Sequence, residues 1–359
     1  MATAKRRGDS YIIEASCGYD RNGRRLRQYM TWKPAPGMTQ KQIEKELERQ
    51  KFRFDEKCSA GYYEGRVTFE EFAEVWFKEY AEKRYKIRTL ERCQQLRERV
   101  YAAIGHLSMD KITTRTVQKF IMNLAEPGIK HVRTRDGDPT PQSLSVKSLK
   151  HYLSFISGIF RYAVAQGVVR DNPARGVVLP AARPVERDCY TLEEAQRFLE
   201  LLEKEPFNWK LFFTLAIYTG LRRGELYGLE WQDVDFDKST ITVNRTSQHT
   251  AKAGTYTDTP KTRSSQRCLK VTEAVMAMLT KYIVWQTEQR LKAGDKWMES
   301  GRLFVTWDGR PQNPNSCENW LIRFCQRTEM RRVSIHSFRH LNATLLIGAG
   351  TDIRTVSAV

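Results

Sequence analysis

Between residues 67 and 173, apolar side chains return every three or four positions, the spacing that gives a helix one buried stripe. Phe69, Phe72, Ala73, Val75, Trp76 and Tyr80 form the first stripe, behind a capping box made by Thr68 and Glu71. A second helix is predicted over 89–104, followed by a short connector that begins at Met109. A third helix is capped by Thr113 or Thr114 and runs through Leu124. A fourth covers 143–166, with Leu149, Leu153, Ile156, Phe160 and Ala163 as its core stripe. The stretch 126–141 is charged and rich in Gly and Pro, so it reads as a loop. A compact helical bundle is expected here.

The flanking regions have other patterns. Residues 11–16 and 26–32 read as strands joined across 18–23, where Asn22-Gly23 signals a turn, and a helix follows from about Thr39 to Lys57. Pro and small residues over 172–187 mark a linker. Beyond it, Thr191 and Glu194 cap a helix, and a second, largely apolar helix covers 208–219. A helical segment is predicted at 225–229, a strand at 240–245, a polar excursion over 248–261 and an edge strand from Arg267 to Val271. Helices near 272–293 and 315–329 precede the closing segment, 333–359. The fold class is mainly α with small β elements. It divides into a basic sheet module (1–66), a helical domain (67–173), a linker (174–188) and a mixed α/β domain (189–359).

Charge changes this picture. Among 359 residues, 60 Lys and Arg face 42 Asp and Glu, a formal net charge of +18, which favours a polyanionic partner and above all nucleic acid. Residues 1–33 carry a net +5, including Arg6, Arg7, Arg24, Arg25 and Arg27. A basic β-ribbon can enter a DNA major groove, or simply be solvated. Lys147, Lys150 and His151 open the fourth helix, where they could meet phosphates or only water. No apolar run is long enough to span a bilayer, and no signal peptide follows the basic start. Seven scattered cysteines with no CxxC pair point to reduced thiols in a cytoplasm, not to a zinc module.

Candidate chemistry gathers in the last region. Arg222 and Arg223 occupy a Gly-bounded turn, Thr219-Gly-Leu-Arg-Arg-Gly-Glu-Leu226, directly after the apolar helix. Lys261 lies in Thr259-Pro-Lys-Thr-Arg-Ser-Ser265, at a tip between two strands, and His336 and Arg339 share one helix face. Two guanidiniums can grip the non-bridging oxygens of a phosphodiester, a mobile lysine can protonate a leaving oxygen, and a histidine can exchange protons beside them. Other chemistries fail on their own requirements. His336 and His340 have zinc-helix spacing, but Ser337 stands where the general-base Glu is needed. Asp233 and Asp235 read as two carboxylates on one solvated face at a strand entry, with no third ligand. The chain has no phosphate-binding GxxxxGK[ST] loop, so ATP-driven chemistry is not indicated; with no metal-ligand set identified either, neither a metal nor a cofactor is expected.

The turn, followed by Leu229-Glu-Trp-Gln-Asp-Val-Asp-Phe236, TPKTRSSQR (259–267) and HSFRH (336–340), resembles the tyrosine recombinase (phage integrase) family, in order and spacing across the whole last domain. The helical region ending in Asn172-Pro-Ala resembles the family's core-binding, SAM-like domain. The basic sheet is similar to the arm-binding module of integrases from bacterial conjugative transposons. The resemblance implies that Arg222 and Arg339 clamp a scissile phosphate, that Lys261 is the hairpin lysine, and that His336 is the first histidine of the family motif. Glu225 and His340 would support them, and Arg223 would be peripheral. It also implies a bacterial, cytoplasmic protein acting on double-stranded DNA at core and arm sites, in a synaptic assembly of four protomers. An excisionase or a host DNA-bending protein would be an accessory partner.

One departure stands out. The family's nucleophile is a tyrosine beyond the HxxR helix, preceded by a second His or Trp, whereas the last tyrosine here is Tyr282. The sequence therefore reads as a C-terminally truncated integrase, expected to bind DNA without cleaving it. Two functions stay open: a site-specific recombinase lacking its nucleophile, and a non-catalytic DNA-binding or architectural protein that keeps the clamp as a binding device.

Overall fold

A computed structural model describes residues 2–19, 25–59, 67–132, 140–181, 189–259 and 266–348; within these, the side chains of 16–19, 25, 26, 28, 56–59, 130–132, 140 and 141 are not described. The chain divides into two compact units, Met1–Arg183 and Pro184–Val359.

In the first unit, β1 (Thr3–Arg7), β2 (Ser10–Tyr19) and β3 (Arg25–Trp32) form an antiparallel sheet in that order. β1 is an added edge strand with every side chain exposed, which is why no apolar alternation announced it. Helix α1 (Gln40–Ser59) packs on β2 and β3, closing a small core of Ala2, Ile13, Ala15 and Phe54 backed by Met30, Trp32 and Leu47.

The helical part builds a separate core. α2 (Phe69–Trp76) starts at the expected capping box, with the Glu71 backbone N–H donating to Thr68 Oγ1 and the Thr68 N–H donating to the Glu71 carboxylate. It runs on through a π turn, Phe77–Ala81, into α3 (Glu82–Arg84). α4 (Ile87–Val100) likewise ends in a π turn, Tyr101–Gly105. α5 (Thr114–Ala125) is capped by Thr113. The expected loop after it contains a short hairpin, β4 (Lys130–Val132) with β5 (Thr140–Gln142); residues 133–139 lie outside the described residues. Three-residue strands carry too little alternation to be read from sequence. α6 (Val146–Ala165) buries Leu149, Ile156, Phe160 and Ala163 as expected, and adds Tyr152, Phe155 and Ile159.

In the second unit, α7 (Leu192–Leu202) starts at the Thr191–Glu194 capping box. α8 (Phe207–Thr219) is buried on nearly every side, as a helix apolar all round must be. Phe212 and Phe213 are fully buried, a burial worth roughly 1.5–3 kcal/mol for each such side chain. α8 ends at Gly220, in the left-handed conformation (φ 61°), and α9 (Arg223–Leu226) follows. β6 (Val234–Asp235), β7 (Thr240–Val243) and β10 (Arg267–Lys270) form an antiparallel sheet ordered β10-β7-β6. The expected polar excursion is largely a second hairpin, β8 (Thr246–Thr250) with β9 (Gly254–Asp258), whose polar faces hid its period. α10 (Glu273–Ala293), α11 (Ser316–Thr328) and α12 (Ile335–Gly348) follow among the described residues, with α12 packed on α8.

One sequence expectation is corrected. Asp233 and Asp235 do not share a solvated face, because Asp233 ends the 3-10 turn Trp231–Asp233 before β6 and is buried there, while Asp235 lies in the strand itself. Asp233 is buried and accepts from Arg245, from Asn244 Nδ2 at 3.2 Å and from the Glu230 N–H at 2.8 Å. Asp235 stays at the surface with Lys238.

A candidate phosphate-binding site in the C-terminal unit

The site starts from Gly220. A Cβ there would sit 2.6 Å from Asn342 Oδ1, so only glycine lets α12 approach the end of α8 this closely. Asn342 Nδ2 donates to the carbonyls of Ile217 (2.8 Å) and Tyr218 (3.1 Å), which the end of α8 would otherwise leave unpaired. One helical turn earlier, Arg339 Nη1 donates to the Gly220 carbonyl at 2.7 Å. The helix carrying His336 and Arg339 is thus fastened at three carbonyls to the segment that delivers Arg222.

Glu225 organises the other side. Its carboxylate is buried and reaches back to the N-terminus of α9. Oε2 accepts from the Arg222 N–H at 2.9 Å and from Arg267 Nη2 at 2.9 Å, and Oε1 accepts from Arg222 Nη1 at 2.8 Å. Burial alone would raise its pKa, but the hydrogen bonds from Arg267 and Arg222 outweigh burial and hold it below the ordinary value. The Arg222 side chain is 52% exposed, so part of its guanidinium faces solvent. Arg339 is half-buried, and its pKa is lowered first by burial and then by the Arg222 and Arg267 charges beside it. Three cations against one carboxylate leave a concentrated positive potential, suited to an anion with several oxygens.

Of the predicted site residues, Arg222, Glu225 and Arg339 come together. His336 is exposed on the same helix as Arg339, and its ring lies edge-on to His340 with centroids 4.7 Å apart. Lys261 lies outside the described residues. Arg223 points elsewhere and pairs with Glu318 at 3.3 Å. Tyr282 is buried against Phe207, Trp231, Trp285 and Phe304, and burial pushes its phenol well above its ordinary pKa. Sequence reading missed Arg267 and Asn342. Arg267 was read as the last residue of TPKTRSSQR and the start of an edge strand, without a role at the site, and nothing marked Asn342 beyond its place three residues after Arg339.

In the first unit, strand alternation separates the basic candidates. The pairing Arg7↔Ser10 and Arg27↔Ser16 puts Arg7 and Arg27 on the sheet face away from α1, with Lys5. Arg6 is on the opposite face, and its Nε donates to the Gly8 carbonyl at 3.2 Å. Arg27 is 3.0 Å from Glu14. Arg24, and the side chain of Arg25, lie outside the described residues. Lys147 and Lys150 are exposed one turn apart at the start of α6.

The chain thus has a helical part and an α/β unit that gathers three arginines around one buried carboxylate. Residues 189–359 match the phage integrase family, and residues 68–125 match the phage integrase N-terminal SAM-like domain. The chain belongs to the phage integrase, or tyrosine recombinase, family. It is similar to a tyrosine recombinase XerC-like protein of Caldanaerobacter subterraneus subsp. tengcongensis, at 31% identity over 234 residues, covering 60% of this chain and 59% of that protein. It is also similar to the ICEBs1 integrase of Bacillus subtilis, at 28% over 249 residues, covering 69% of this chain and 63% of that one. The chain therefore spans about three fifths of the length of these relatives. Its fold is like that of the Tn1549 transposon integrase in complex with a circular intermediate DNA: TM-score 0.65, 18% identity, 81% of this chain and 90% of that one. A lambda integrase tetramer bound to a Holliday junction shares the fold at a TM-score of 0.56 and 16% identity, over 99% of this chain and 94% of that one. Among the described residues, no helix is long and apolar enough to cross a membrane.

Proposed function

We propose that this chain is the DNA-binding and phosphate-clamping part of a site-specific DNA recombinase, acting in the integration or excision of a mobile element. The observation that carries the reading is Arg222 and Arg339 held around Gly220 and Glu225, in a chain of the phage integrase family. The two guanidiniums bind the non-bridging oxygens of one phosphodiester and stabilise the charge that builds as phosphorus becomes pentacoordinate. A tyrosine oxygen attacks phosphorus, the bond to the 5′-oxygen breaks, and Lys261 gives that oxygen its proton. The product is a 3′-phosphotyrosyl link that keeps the bond energy for rejoining, so the arginines need only hold charge. His336 exchanges a proton beside the phosphate. Arg7 and Arg27 with Lys5 on the outer sheet face meet arm-type DNA, and Lys147 and Lys150 meet core-site phosphates. Further copies of the protein complete a synaptic assembly, as in the lambda integrase tetramer bound to a Holliday junction.

Residues 283–359 contain no tyrosine, and the Tyr282 phenol is buried. Residues 1–359 incubated with a nicked suicide substrate are expected to bind it and form no covalent adduct. A C-terminal segment bearing a tyrosine, fused on or added in trans, is expected to bring the adduct back. An adduct formed by residues 1–359 alone and lost on Tyr282→Phe would overturn this assignment, and failure of every tyrosine segment to restore an adduct would favour a purely DNA-binding protein.

A further inference from the structure

We propose that Arg267 is a positioning residue of this site: it holds the Glu225 carboxylate and, through it, aims Arg222 at the phosphate. This rests on the recombinase reading and adds to the clamp a part that touches no substrate. Arg267 comes from β10, where it pairs with Val243 of β7, so its backbone is fixed by the sheet and not by the arginine turn. Its side chain is only 10% exposed, against 52% for Arg222, with Glu225 between them. The buried arginine is therefore the rear support, and the exposed one faces the ligand.

The charges explain why a rear support is needed. Glu225 alone with Arg222 would be a simple ion pair, and a carboxylate with no other partner draws a flexible guanidinium onto itself bidentately. Here one oxygen, Oε2, is already filled by Arg267 Nη2 and the Arg222 backbone N–H, each at 2.9 Å. Only Oε1 is left for the Arg222 side chain, through Nη1 at 2.8 Å. The remaining N–H donors of Arg222 are then directed away from Glu225. Arg267 also keeps the buried carboxylate ionised, and without that charge Glu225 would hold Arg222 only weakly. Sheet and turn are thereby locked together around one carboxylate, while Arg339 of α12 is held separately on the Gly220 carbonyl.

The test uses residues 1–359 joined to a tyrosine segment that supports adduct formation, with Arg267→Met, Arg267→Lys, Glu225→Gln and Arg222→Ala. Arg267→Met is expected to lower the rate of adduct formation by ~10-fold or more at saturating DNA, with duplex affinity unchanged within about twofold. Its deficit should deepen as pH is lowered, because Glu225 without Arg267 takes up a proton more readily, and Glu225→Gln in the same background should remove that extra pH dependence. A merely structural role would not produce a pH-dependent deficit abolished by a second substitution at Glu225. Arg267→Lys keeps a charge on the carboxylate and should recover part of the rate, which also covers the case in which Arg267→Met folds poorly. Parental rates and a parental pH profile for both Arg267 variants, with Arg222→Ala inactive, would overturn the positioning role and leave the clamp intact. If Arg222→Ala also cleaved normally, the clamp itself would be wrong.

Discussion

Arg339 and Gly220 are joined by a hydrogen bond from the guanidinium Nη1 to the carbonyl oxygen, 2.7 Å long. It makes the backbone of the arginine turn a ligand of the second arginine, so the spacing between the two cations is set by a main-chain atom. The expected kinetic result is a shared one. In a chain able to form the phosphotyrosyl adduct, Arg222→Ala and Arg339→Ala should each cut cleavage by ~10²-fold or more, the scale of losing a donor to a developing oxyanion. Arg223→Ala should be far milder, because Arg223 is engaged with Glu318. Single-turnover cleavage checks this, and equal losses at 222 and 223 would refute the placement.

Gly220→Ala should destabilise the second unit by about 1–3 kcal/mol, from the left-handed backbone and from the clash with Asn342 combined. Gly254→Ala is the control. Its φ is also positive, 66°, but a Cβ there meets nothing within 4 Å, so it should cost only about 1 kcal/mol. Urea unfolding of both variants separates the strain from the contact.

Glu225 predicts an acid dependence of stability. Its pKa is lowered in the folded chain, so its contribution is complete above the ordinary carboxylate range and is lost as pH falls through the lowered value. Glu225→Gln should lower the urea midpoint at neutral pH and flatten the loss of stability as pH falls below the ordinary carboxylate range, by removing one titrating group. Parallel curves for parent and variant would show that the carboxylate carries no linked proton.

Binding to duplex DNA should weaken steeply with salt, with a log–log slope of several units, as expected when many phosphates are neutralised. Arg7→Ala and Arg27→Ala, on one sheet face, should weaken arm-type binding, while Arg6→Ala, on the other, should do less. Fluorescence anisotropy across a salt series measures both, and a slope near one would dissociate the +18 charge from DNA contact.

The helices were readable because they bury one stripe each and announce their starts. Thr68 and Thr191 cap where their three-residue spacing to Glu71 and Glu194 places them, and Thr113, one of two candidates, caps α5. The β8–β9 hairpin and the edge strand β1 were not, since polar strands show no hydrophobic period and are held by pairing across the chain. At the site, Arg222, His336 and Arg339 stood out by residue type and order, and Glu225 through the family resemblance. Arg267 and Asn342 act through contacts 42 and 125 residues away, to Glu225 and to Ile217, and such partners leave no trace in local pattern. Asp233 was misread because a carboxylate looks solvated until the arginine that buries it is known.

The bond from Arg339 to Gly220 closes a loop of 119 residues. Closing it is entropically slow, and the ribosome releases Arg222 long before Arg339 exists. Only after α12 docks can the Arg222 and Arg339 charges converge, so a growing or partly folded chain carries its basic surfaces well before the two guanidiniums meet. In the recombinase reading proposed above, the grip on the phosphate therefore forms only once α12 is seated on α8, and freeing α12 would abolish it while leaving the basic surfaces in place.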